Sequence, residues 1–254
     1  MSNSITSLVR AEMSSFDTPS TFANESARNV GVLLSVSNLT VKSDHNVILE
    51  DVSFSLREGA TLAIVGPNGA GKTALFRALL NLTPYTGKIV WSRKVRIGYV
   101  PQNFSVTDVP IAVSEFLSLK CKAPFEGCLA AVGLEGMGIL NRKLGVLSGG
   151  ELERVLIAWA IADKPDVLLF DEPTASVDIG SKEVVYETLN KLEKEIGITI
   201  LLITHDIHVI LHYADSALAL NRGVVYFGDS RNLAEPTLLE KVYGSPSILD
   251  KHRH

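Results

Sequence analysis

The chain has 254 residues, of which 46% are hydrophobic and 20% charged, so it is long enough to bury a sizeable core. Its formal net charge of −4 argues against a nucleic-acid-binding protein, which usually carries a basic surface. The two cysteines form neither a disulfide framework nor a zinc pattern, which favours a reducing compartment. No stretch reaches the roughly 20 apolar residues that cross a bilayer, so we expect no membrane-spanning segment.

The first 30 residues are rich in Ser, Thr and Asn and contain one local apolar pair, Leu8 and Val9. They lack the continuous apolar stretch of a secretion signal. We therefore expect a poorly ordered extension over residues 1–30, followed by a single domain over residues 31–254. A partner-binding arm is the alternative interpretation of the extension.

Strand and helix patterns alternate along the rest of the chain. Short apolar or alternating runs predict strands at Val32–Val41, Ile48–Leu56, Thr61–Val65, Gly87–Trp91, Val95–Val100, Val167–Phe170, Ile198–Ile203, Ala217–Leu220 and Val224–Phe227. Helical spacing predicts helices at Lys72–Leu82, Gly149–Ala162, Ser181–Glu195, Ile207–Tyr213 and Leu233–Tyr243. Short helical stretches broken by Gly and Pro predict a helical subdomain over about residues 105–162. This order indicates an α/β fold with a parallel sheet.

A glycine-rich loop follows the predicted strand Thr61–Val65 and opens the next helix. Its residues are Gly66, Pro67, Asn68, Gly69, Ala70, Gly71, Lys72 and Thr73, and they match the P-loop pattern in the strand–loop–helix context that this motif requires. The glycines let backbone N–H groups converge on phosphate oxygens, and the helix N-terminus adds partial positive charge. Lys72 can reach the β- and γ-phosphates of a nucleotide, and the Thr73 hydroxyl can bind Mg²⁺.

Two adjacent carboxylates, Asp171 and Glu172, end the apolar run Val167–Phe170. Ligands bind at this end of the strands in open α/β sheets. Asp171 fits the carboxylate that holds Mg²⁺ in P-loop enzymes, and Glu172 follows it directly, as a base for the attacking water should. The alternative is that both are ordinary exposed carboxylates at a strand end.

The stretch Leu147-Ser148-Gly149-Gly150-Glu151 resembles the signature loop of ABC ATPases, whose usual form ends in Gln. The resemblance implies an ATP-hydrolysing P-loop NTPase core with a parallel sheet, N-terminal antiparallel β strands and an inserted helical subdomain. It also implies a head-to-tail homodimer, in which Ser148, Gly149 and Gly150 of one subunit contact the γ-phosphate of ATP bound to the other.

Three further motifs of the family occur in order between Val32 and Gly228. Gln102 resembles the glutamine that contacts Mg²⁺ and senses the membrane partner. Asp178 resembles the residue that bridges to the opposite subunit. His205 resembles the switch histidine that holds the γ-phosphate and the attacking water. The resemblance thus implies Glu172, His205, Gln102 and Lys72 as catalytic residues, and Thr73, Gln102 and Asp171 as the metal-binding set, with ATP and Mg²⁺ as cofactors.

Two positions depart from the family pattern. An adenine-stacking aromatic residue is usual near Ser43, where this chain has none, and His45 is the candidate replacement. Ala74 follows Thr73 where the family often has a second hydroxyl, so one α-phosphate hydrogen bond worth roughly 0.5–1.5 kcal/mol is expected to be missing.

One branch of the family is matched most closely, namely the ATPases of bacterial zinc and manganese uptake systems. The resembling stretches are residues 94–102, 111–117, 204–210 and 215–221. This resemblance implies polytopic membrane permease subunits, an extracytoplasmic solute-binding protein, and a peripheral position on the cytoplasmic face of the inner membrane. No nucleic-acid partner is implied.

Alternative functions stay open at this point. They are transport of another cargo (iron chelate, cobalamin, lipid or drug export) and, in a different class, an ABC ATPase of DNA repair or translation. A non-hydrolysing binding module would need a damaged catalytic set, which this chain does not have. His208 and His212 stand four residues apart, a spacing that can ligate zinc, although a solvated helix face is the plainer interpretation.

Overall fold

The structure, a computed structural model, describes residues 16–17, 31–43, 46–102, 104, 110–136, 138–172 and 179–244. The chain divides into two compact units. The first unit comprises residues 1–17 and 95–200, and the second comprises residues 18–94 and 201–254. No helix in the described ranges is long and apolar enough to span a bilayer.

The secondary structure alternates between strands and helices over most of the described chain. The strands are β1 (Phe16–Asp17), β2 (Val32–Ser43), β3 (Asn46–Arg57), β4 (Thr61–Val65), β5 (Thr86–Trp91), β6 (Arg96–Val100), β7 (Val167–Asp171), β8 (Thr199–Ile203), β9 (Ser216–Asn221) and β10 (Gly223–Asp229). The helices are α1 (Lys72–Leu79), α2 (Val113–Ser118), α3 (Glu126–Ala131), α4 (Gly149–Ile161), α5 (Ile179–Lys191), α6 (Ile207–Tyr213) and α7 (Pro236–Tyr243). Single 3-10 turns lie at Ile139–Asn141, Leu144–Val146 and Ser230–Ala234, and a π turn at Leu192–Ile196.

The second unit contains two groups of paired strands. β2 pairs antiparallel with both β3 and β5, and Leu34 lies opposite Leu56 on one side and Trp91 on the other. All three side chains are buried, so this sheet has an apolar face. β4 runs parallel to β9, which pairs antiparallel with β10. Every residue of β4 is buried, as expected for a strand covered on both faces.

The first unit is built around the parallel pair β6 and β7, in which Val100 lies opposite Phe170. β1 adds to β6 in antiparallel orientation, so Phe16 and Asp17 of the segment expected to be an extension form a strand. The rest of residues 1–30 lies outside the described residues. A Cβ built on Gly98 in β6 would lie 2.7 Å from the backbone oxygen of Ala160 in α4, so a side chain there would push the helix away.

The helical region of the first unit consists of α2, α3, two 3-10 turns and α4, as the Gly- and Pro-broken pattern predicts. Its core includes the Phe116 ring stacked on Trp159 of α4, with ring centroids 5.7 Å apart. An isolated antiparallel bridge joins Ala112 to Lys143, so the start of α2 is tied to the segment that leads into α4.

Three predicted helices have ends that differ from the observed ones by more than one residue. The helix predicted over Ser181–Glu195 runs over Ile179–Lys191 and continues as the π turn Leu192–Ile196. The helix predicted over Lys72–Leu82 ends at Leu79 because Asn81 adopts a left-handed φ of 57°. The amide of Leu82 then donates to the Arg77 carbonyl at 2.8 Å, which completes a Schellman-type end. The helix predicted over Leu233–Tyr243 starts only at Pro236, which suits the first helical turn because proline has no N–H to donate there.

Candidate phosphate-binding and catalytic site

The glycine-rich loop has the backbone shape that its sequence predicts. Gly66, Gly69 and Gly71 adopt φ values of 145°, 80° and 99°, a region that residues with a side chain rarely visit. A Cβ on Gly66 would lie 2.1 Å from the backbone oxygen of Leu220 in β9, so the loop starts in direct backbone contact with the neighbouring strand. The amide of Ala70 donates to the Pro67 carbonyl at 3.1 Å, which closes the turn.

Lys72 is the first residue of α1 and only 9% exposed. Its Nζ donates to the carbonyl oxygens of Gly66 and Pro67 at 2.9 and 3.2 Å. The ammonium group is thus held over the loop's own backbone, where an anion would meet it. Thr73, the next residue, is exposed, so its hydroxyl is accessible to a ligand of the loop.

His205 lies two residues beyond Ile203, the last residue of β8, in the same unit as the glycine-rich loop. The preceding Thr204 is 2% exposed, and its amide donates to the Ile64 carbonyl of β4 at 3.3 Å. On the other side, the Asp206 carboxylate caps α6 by accepting from the amides of His208 and Val209 at 2.9 and 3.4 Å. His205 is itself exposed and stands between a fixed strand end and a fixed helix start.

The paired carboxylates lie in the first unit, at the carboxyl end of β7. Asp171 is the last residue of the strand and only 2% exposed. Glu172 follows with a left-handed φ of 42°, a conformation that costs a non-glycine residue about 1–2 kcal/mol. Backbone strain of this kind concentrates at functional sites.

Gln102 reaches Glu172 because of strand register. Val100 and Phe170 are partners in the parallel pair β6–β7, and Gln102 and Glu172 each stand two residues beyond that pair. The Gln102 side-chain amide accordingly donates to the Glu172 carboxylate. The structure therefore brings together two of the predicted catalytic residues that are 70 positions apart in sequence.

Ser148 begins α4 as a true N-cap. Its Oγ accepts from the Glu151 amide at 3.2 Å, and its own amide donates to the Glu151 carboxylate at 2.8 Å, which is a capping box. Ser148 and Gly149 are exposed, so this helix N-terminus is open to an anionic ligand.

Glu151 also forms a fork with Arg142 that the sequence did not reveal. Nη1 and Nη2 of Arg142 donate to Oε1 and Oε2 of Glu151 at 2.6 and 3.2 Å. The Arg142 guanidinium, together with the Ser148 amide, lowers the pKa of Glu151 to about 2. Glu151, which stands where the loop that this stretch resembles usually has Gln, is therefore ionised over the whole physiological range.

Two buried ionisable side chains on or beside α4 were also missed. The Lys120 side chain is 6% exposed, and its Nζ donates to the Ala160 carbonyl at 2.9 Å. The same Nζ lies 3.2 Å from the Asp163 carboxylate and 4.4 Å from the centroid of the Trp159 ring. Burial lowers the pKa of Lys120 against the opposing effect of Asp163. Glu153 is 9% exposed, and burial raises its pKa to about 8. Neither residue belongs to a sequence motif, so only the fold identifies them.

The remaining predicted residues add little to the geometry of the site. Asp178 and His45 fall outside the described residues, and Ser43 is an exposed residue at the end of β2. His212 has its Nδ1 2.9 Å from the His208 carbonyl oxygen. Within the described ranges, no group of three or more His, Cys, Asp and Glu side chains is placed to hold a metal ion.

Comparison with known proteins agrees with these features. The sequence profile described as ABC transporter matches residues 49–175. The zinc import ATP-binding protein ZnuC of Jannaschia sp. (strain CCS1) is 34% identical over 216 residues, which is 84% of this chain and 89% of the relative.

Two solved structures support the same assignment. An inward-facing ABC transporter of metal-chelate type superposes with a TM-score of 0.75 at 28% identity, covering 83% of this chain and 88% of the other. The ATP-binding cassette MJ0796, in a dimeric post-hydrolysis state bound to ADP and Pi, superposes with a TM-score of 0.63 at 27% identity, covering 78% and 99%. The P-loop, the carboxylates at the end of β7 and the capped Ser148 loop thus occur in a chain that belongs to the ABC transporter family, as one of its ATP-binding, ATP-hydrolysing subunits.

Proposed function

We propose that this chain hydrolyses ATP to drive the import of divalent metal ions, with zinc as the first candidate cargo and manganese as the second. The observation that carries the cargo is the likeness to a zinc import ATP-binding protein over 84% of the chain. The observation that supports the chemistry is the pair formed by Gln102 and Glu172 at the strand end beside the buried Asp171.

In this proposal the P-loop binds the nucleotide. The residues Gly66, Pro67, Asn68, Gly69, Ala70, Gly71, Lys72, Thr73 and Ala74 surround the phosphates. Backbone N–H groups and the N-terminus of α1 complement their negative charge. Lys72 exchanges its hydrogen bonds with the loop carbonyls for bonds to the β- and γ-phosphates, and this exchange needs little movement because its stem is already buried.

Mg²⁺ would be held by Thr73, Gln102 and Asp171. A hydroxyl, an amide oxygen and a carboxylate are hard oxygen donors of the kind Mg²⁺ selects, so this donor set fits the ion. When bound, the ion neutralises charge on the β- and γ-phosphate oxygens.

Glu172 is the proposed base that orients and deprotonates the attacking water. The Gln102 amide holds its carboxylate in place, and the fixed strand end of β7 sets its position. His205 is proposed to hold the γ-phosphate and that water from the end of β8. Because hydrolysis develops charge on the transferring phosphoryl oxygens, preorganised donors around them supply most of the acceleration.

The Ser148, Gly149 and Gly150 loop is proposed to complete the site of a second, identical subunit, and Asp178 to bridge the two. The exposed, capped N-terminus of α4 supports this role because it leaves amide donors open to an anion. The dimeric state of MJ0796 bound to ADP and Pi supports the two-subunit arrangement.

The proposed partners follow from the import function. They are polytopic permease subunits, which we expect to dock on the segment from Gln102 to Leu119, and an extracytoplasmic solute-binding protein that delivers the cargo. The chain would then work at the cytoplasmic face of the membrane. Residues 1–30 would form an extension to the domain of residues 31–254, whose helical subdomain covers about residues 105–162.

A second candidate cargo is a metal chelate. The likeness to an ABC transporter of metal-chelate type supports it, at 28% identity and a TM-score of 0.75. The two cargoes differ in what the solute-binding protein and permease recognise, so uptake assays must offer both forms of the metal.

The test is metal uptake by cells that lack this chain, complemented with the wild type, with Glu172→Gln, or with Glu183→Gln as a surface-carboxylate control. We expect the wild type and the control to restore zinc uptake and Glu172→Gln to fail, because loss of a catalytic base costs about 10²–10⁴-fold in rate. Manganese and chelated iron are assayed in parallel. Normal uptake of every metal without the chain would contradict the proposed cargo, while hydrolysis by Glu172→Gln at the wild-type rate would contradict the proposed base.

A further inference from the structure

Arg142 lies outside every motif of the proposed site, yet it contacts the loop that carries Ser148. It binds both carboxylate oxygens of Glu151 through its two terminal nitrogens, at 2.6 and 3.2 Å. Nη2 also donates to the Val146 carbonyl at 3.3 Å. One guanidinium therefore connects the chain on both sides of Ser148.

Glu151, which binds Arg142, also forms two hydrogen bonds with Ser148. The Glu151 carboxylate that accepts from Arg142 also accepts from the Ser148 amide at 2.8 Å, while the Glu151 amide donates to Ser148 Oγ at 3.2 Å. The Glu151 side chain is 16% exposed and its partner 38%, so the pair is partly shielded from water. A two-point fork fixes the carboxylate plane, which a single-point contact would leave free to rotate.

The backbone of Arg142 is itself fixed. Its amide donates to the Ile139 carbonyl at 3.0 Å, and its carbonyl accepts from the Val113 amide at 2.9 Å. The amide of Leu144 donates to the Ile111 carbonyl at 3.0 Å, which completes the bridge between the two segments. Arg142 is thus anchored to the start of α2, in the region proposed to dock the permease.

We propose that Arg142 is a positioning residue for hydrolysis, which acts through Glu151 to set the orientation of Ser148 towards the nucleotide of the opposite subunit. This inference rests on the proposed role of Ser148 and identifies Arg142 as the residue that controls the orientation of Ser148. Because Arg142 is anchored to the start of α2, a displacement of that segment changes the orientation of Ser148.

The test measures ATP-dependent dimerisation of the full chain in a Glu172→Gln background, where bound ATP is preserved. Arg142→Ala should weaken ATP-dependent dimerisation about tenfold, the size expected for loss of a charge-assisted fork. Nucleotide binding by the dilute monomer should change little, because the P-loop is untouched, and the chain should stay folded although loss of the fork lowers its urea midpoint. Arg142→Lys keeps the positive charge but cannot form the two-point fork, so its ATP-dependent dimerisation should be weaker than that of the parent chain and stronger than that of Arg142→Ala.

A double-mutant cycle separates positioning from general loosening. In a Glu151→Ala background, Arg142→Ala should have little further effect on dimerisation, because the fork is already lost and only the longer bond from Arg142 to the Val146 carbonyl remains. Arg231→Ala, which removes another bidentate arginine–carboxylate pair, with Asp229, is the matched control and should leave dimerisation unchanged. An undiminished effect of Arg142→Ala in the Glu151→Ala background would overturn the proposal, and so would wild-type dimerisation of Arg142→Ala alone.

The two possible failures are distinguishable. If the parent Glu172→Gln chain does not dimerise with ATP at any concentration, the proposed two-subunit site fails and Arg142 has nothing to position. If the parent dimerises and Arg142→Ala dimerises equally well, only the role of Arg142 fails.

Discussion

Glu153 illustrates how a single side chain in α4 can make the stability of the protein depend on pH. It is 9% exposed, and its Oε1 has no hydrogen-bond partner in the part of the chain that the structure describes. Burial without a compensating donor favours the neutral carboxyl, which explains the rise of its pKa to about 8. The folded protein therefore holds this proton more tightly than the unfolded chain does.

We predict that the free energy of unfolding contains a contribution from Glu153 that falls as the pH rises from about 4.5 to about 8. Between these values the folded state binds the proton and the unfolded state has released it, so raising the pH favours unfolding. Glu153→Gln keeps the shape and removes the titration. The free energy of unfolding of the variant should be close to that of the wild type near pH 5. Above pH 8 it should exceed the wild-type value by about 2 kcal/mol or more, since one pKa unit corresponds to about 1.4 kcal/mol.

Urea unfolding of both chains at pH 5, 7 and 8.5 measures this difference. Glu183→Gln, on the exposed side of α5, controls for the loss of one negative charge. A constant stability difference between the Glu153→Gln variant and the wild type across this range would show that Glu153 is already ionised in the fold.

Residues within sequence motifs could be predicted individually, but their partners could not. Lys72, Glu172 and His205 follow from local patterns because each stands at a fixed offset from a strand. The bond between Gln102 and Glu172 depends on the register of β6 against β7, and the fork between Arg142 and Glu151 depends on the bridge to α2. Such contacts are set by tertiary packing, which periodicity does not encode.

At the level of elements, the turn from β4 to α1 depends most on one glycine. Gly66 combines a φ of 145° with a backbone oxygen 2.1 Å from the position of a Cβ. The oxygen belongs to Leu220 in β9, which pairs with β4, so it cannot move without breaking the parallel ladder. Gly69 has a φ of 80° but nothing within 4 Å of its Cβ position.

We predict that Gly66→Ala lowers the free energy of unfolding by about 3 kcal/mol or more and abolishes nucleotide binding, because it combines backbone strain with a backbone collision. Gly69→Ala is the matched control from the same loop. It should cost only about 1–2 kcal/mol, the strain of a left-handed alanine. Denaturant titration and binding of a fluorescent ATP analogue provide the two measurements, and equal losses in the two variants would contradict the role of the Leu220 contact.

Most elements were predicted because their burial leaves a clear period in the sequence. The fully buried strand Thr61–Val65 and the helix Ile207–Tyr213 have the predicted ends, since an apolar run and an Asp cap mark them. The ends of α1 and α7 were wrong by three residues each. Those ends depend on a left-handed Asn81 and on a 3-10 turn before Pro236, for which the hydrophobic pattern gives no signal.

At the level of the whole molecule, the proposed site is complete only when two chains meet. In the proposed homodimer, each chain carries its own Glu172 and offers its Ser148 loop to its partner. We therefore expect the rate of ATP hydrolysis per subunit to rise with protein concentration until the dimer is saturated, whereas a self-sufficient subunit would give a constant rate. Steady-state phosphate release over a dilution series measures this dependence.

Mixing two inactive chains gives the sharper test of a head-to-tail arrangement. Ser148→Ala and Glu172→Gln each disable both sites of their own homodimer. In a mixed dimer, one site receives the intact Glu172 of one chain and the intact Ser148 of the other, while the second site carries both defects. Equal mixing should therefore restore up to about a quarter of the wild-type rate, because half of the dimers are mixed and half of their sites are whole. A mixture no more active than its separate components would exclude a site shared between subunits.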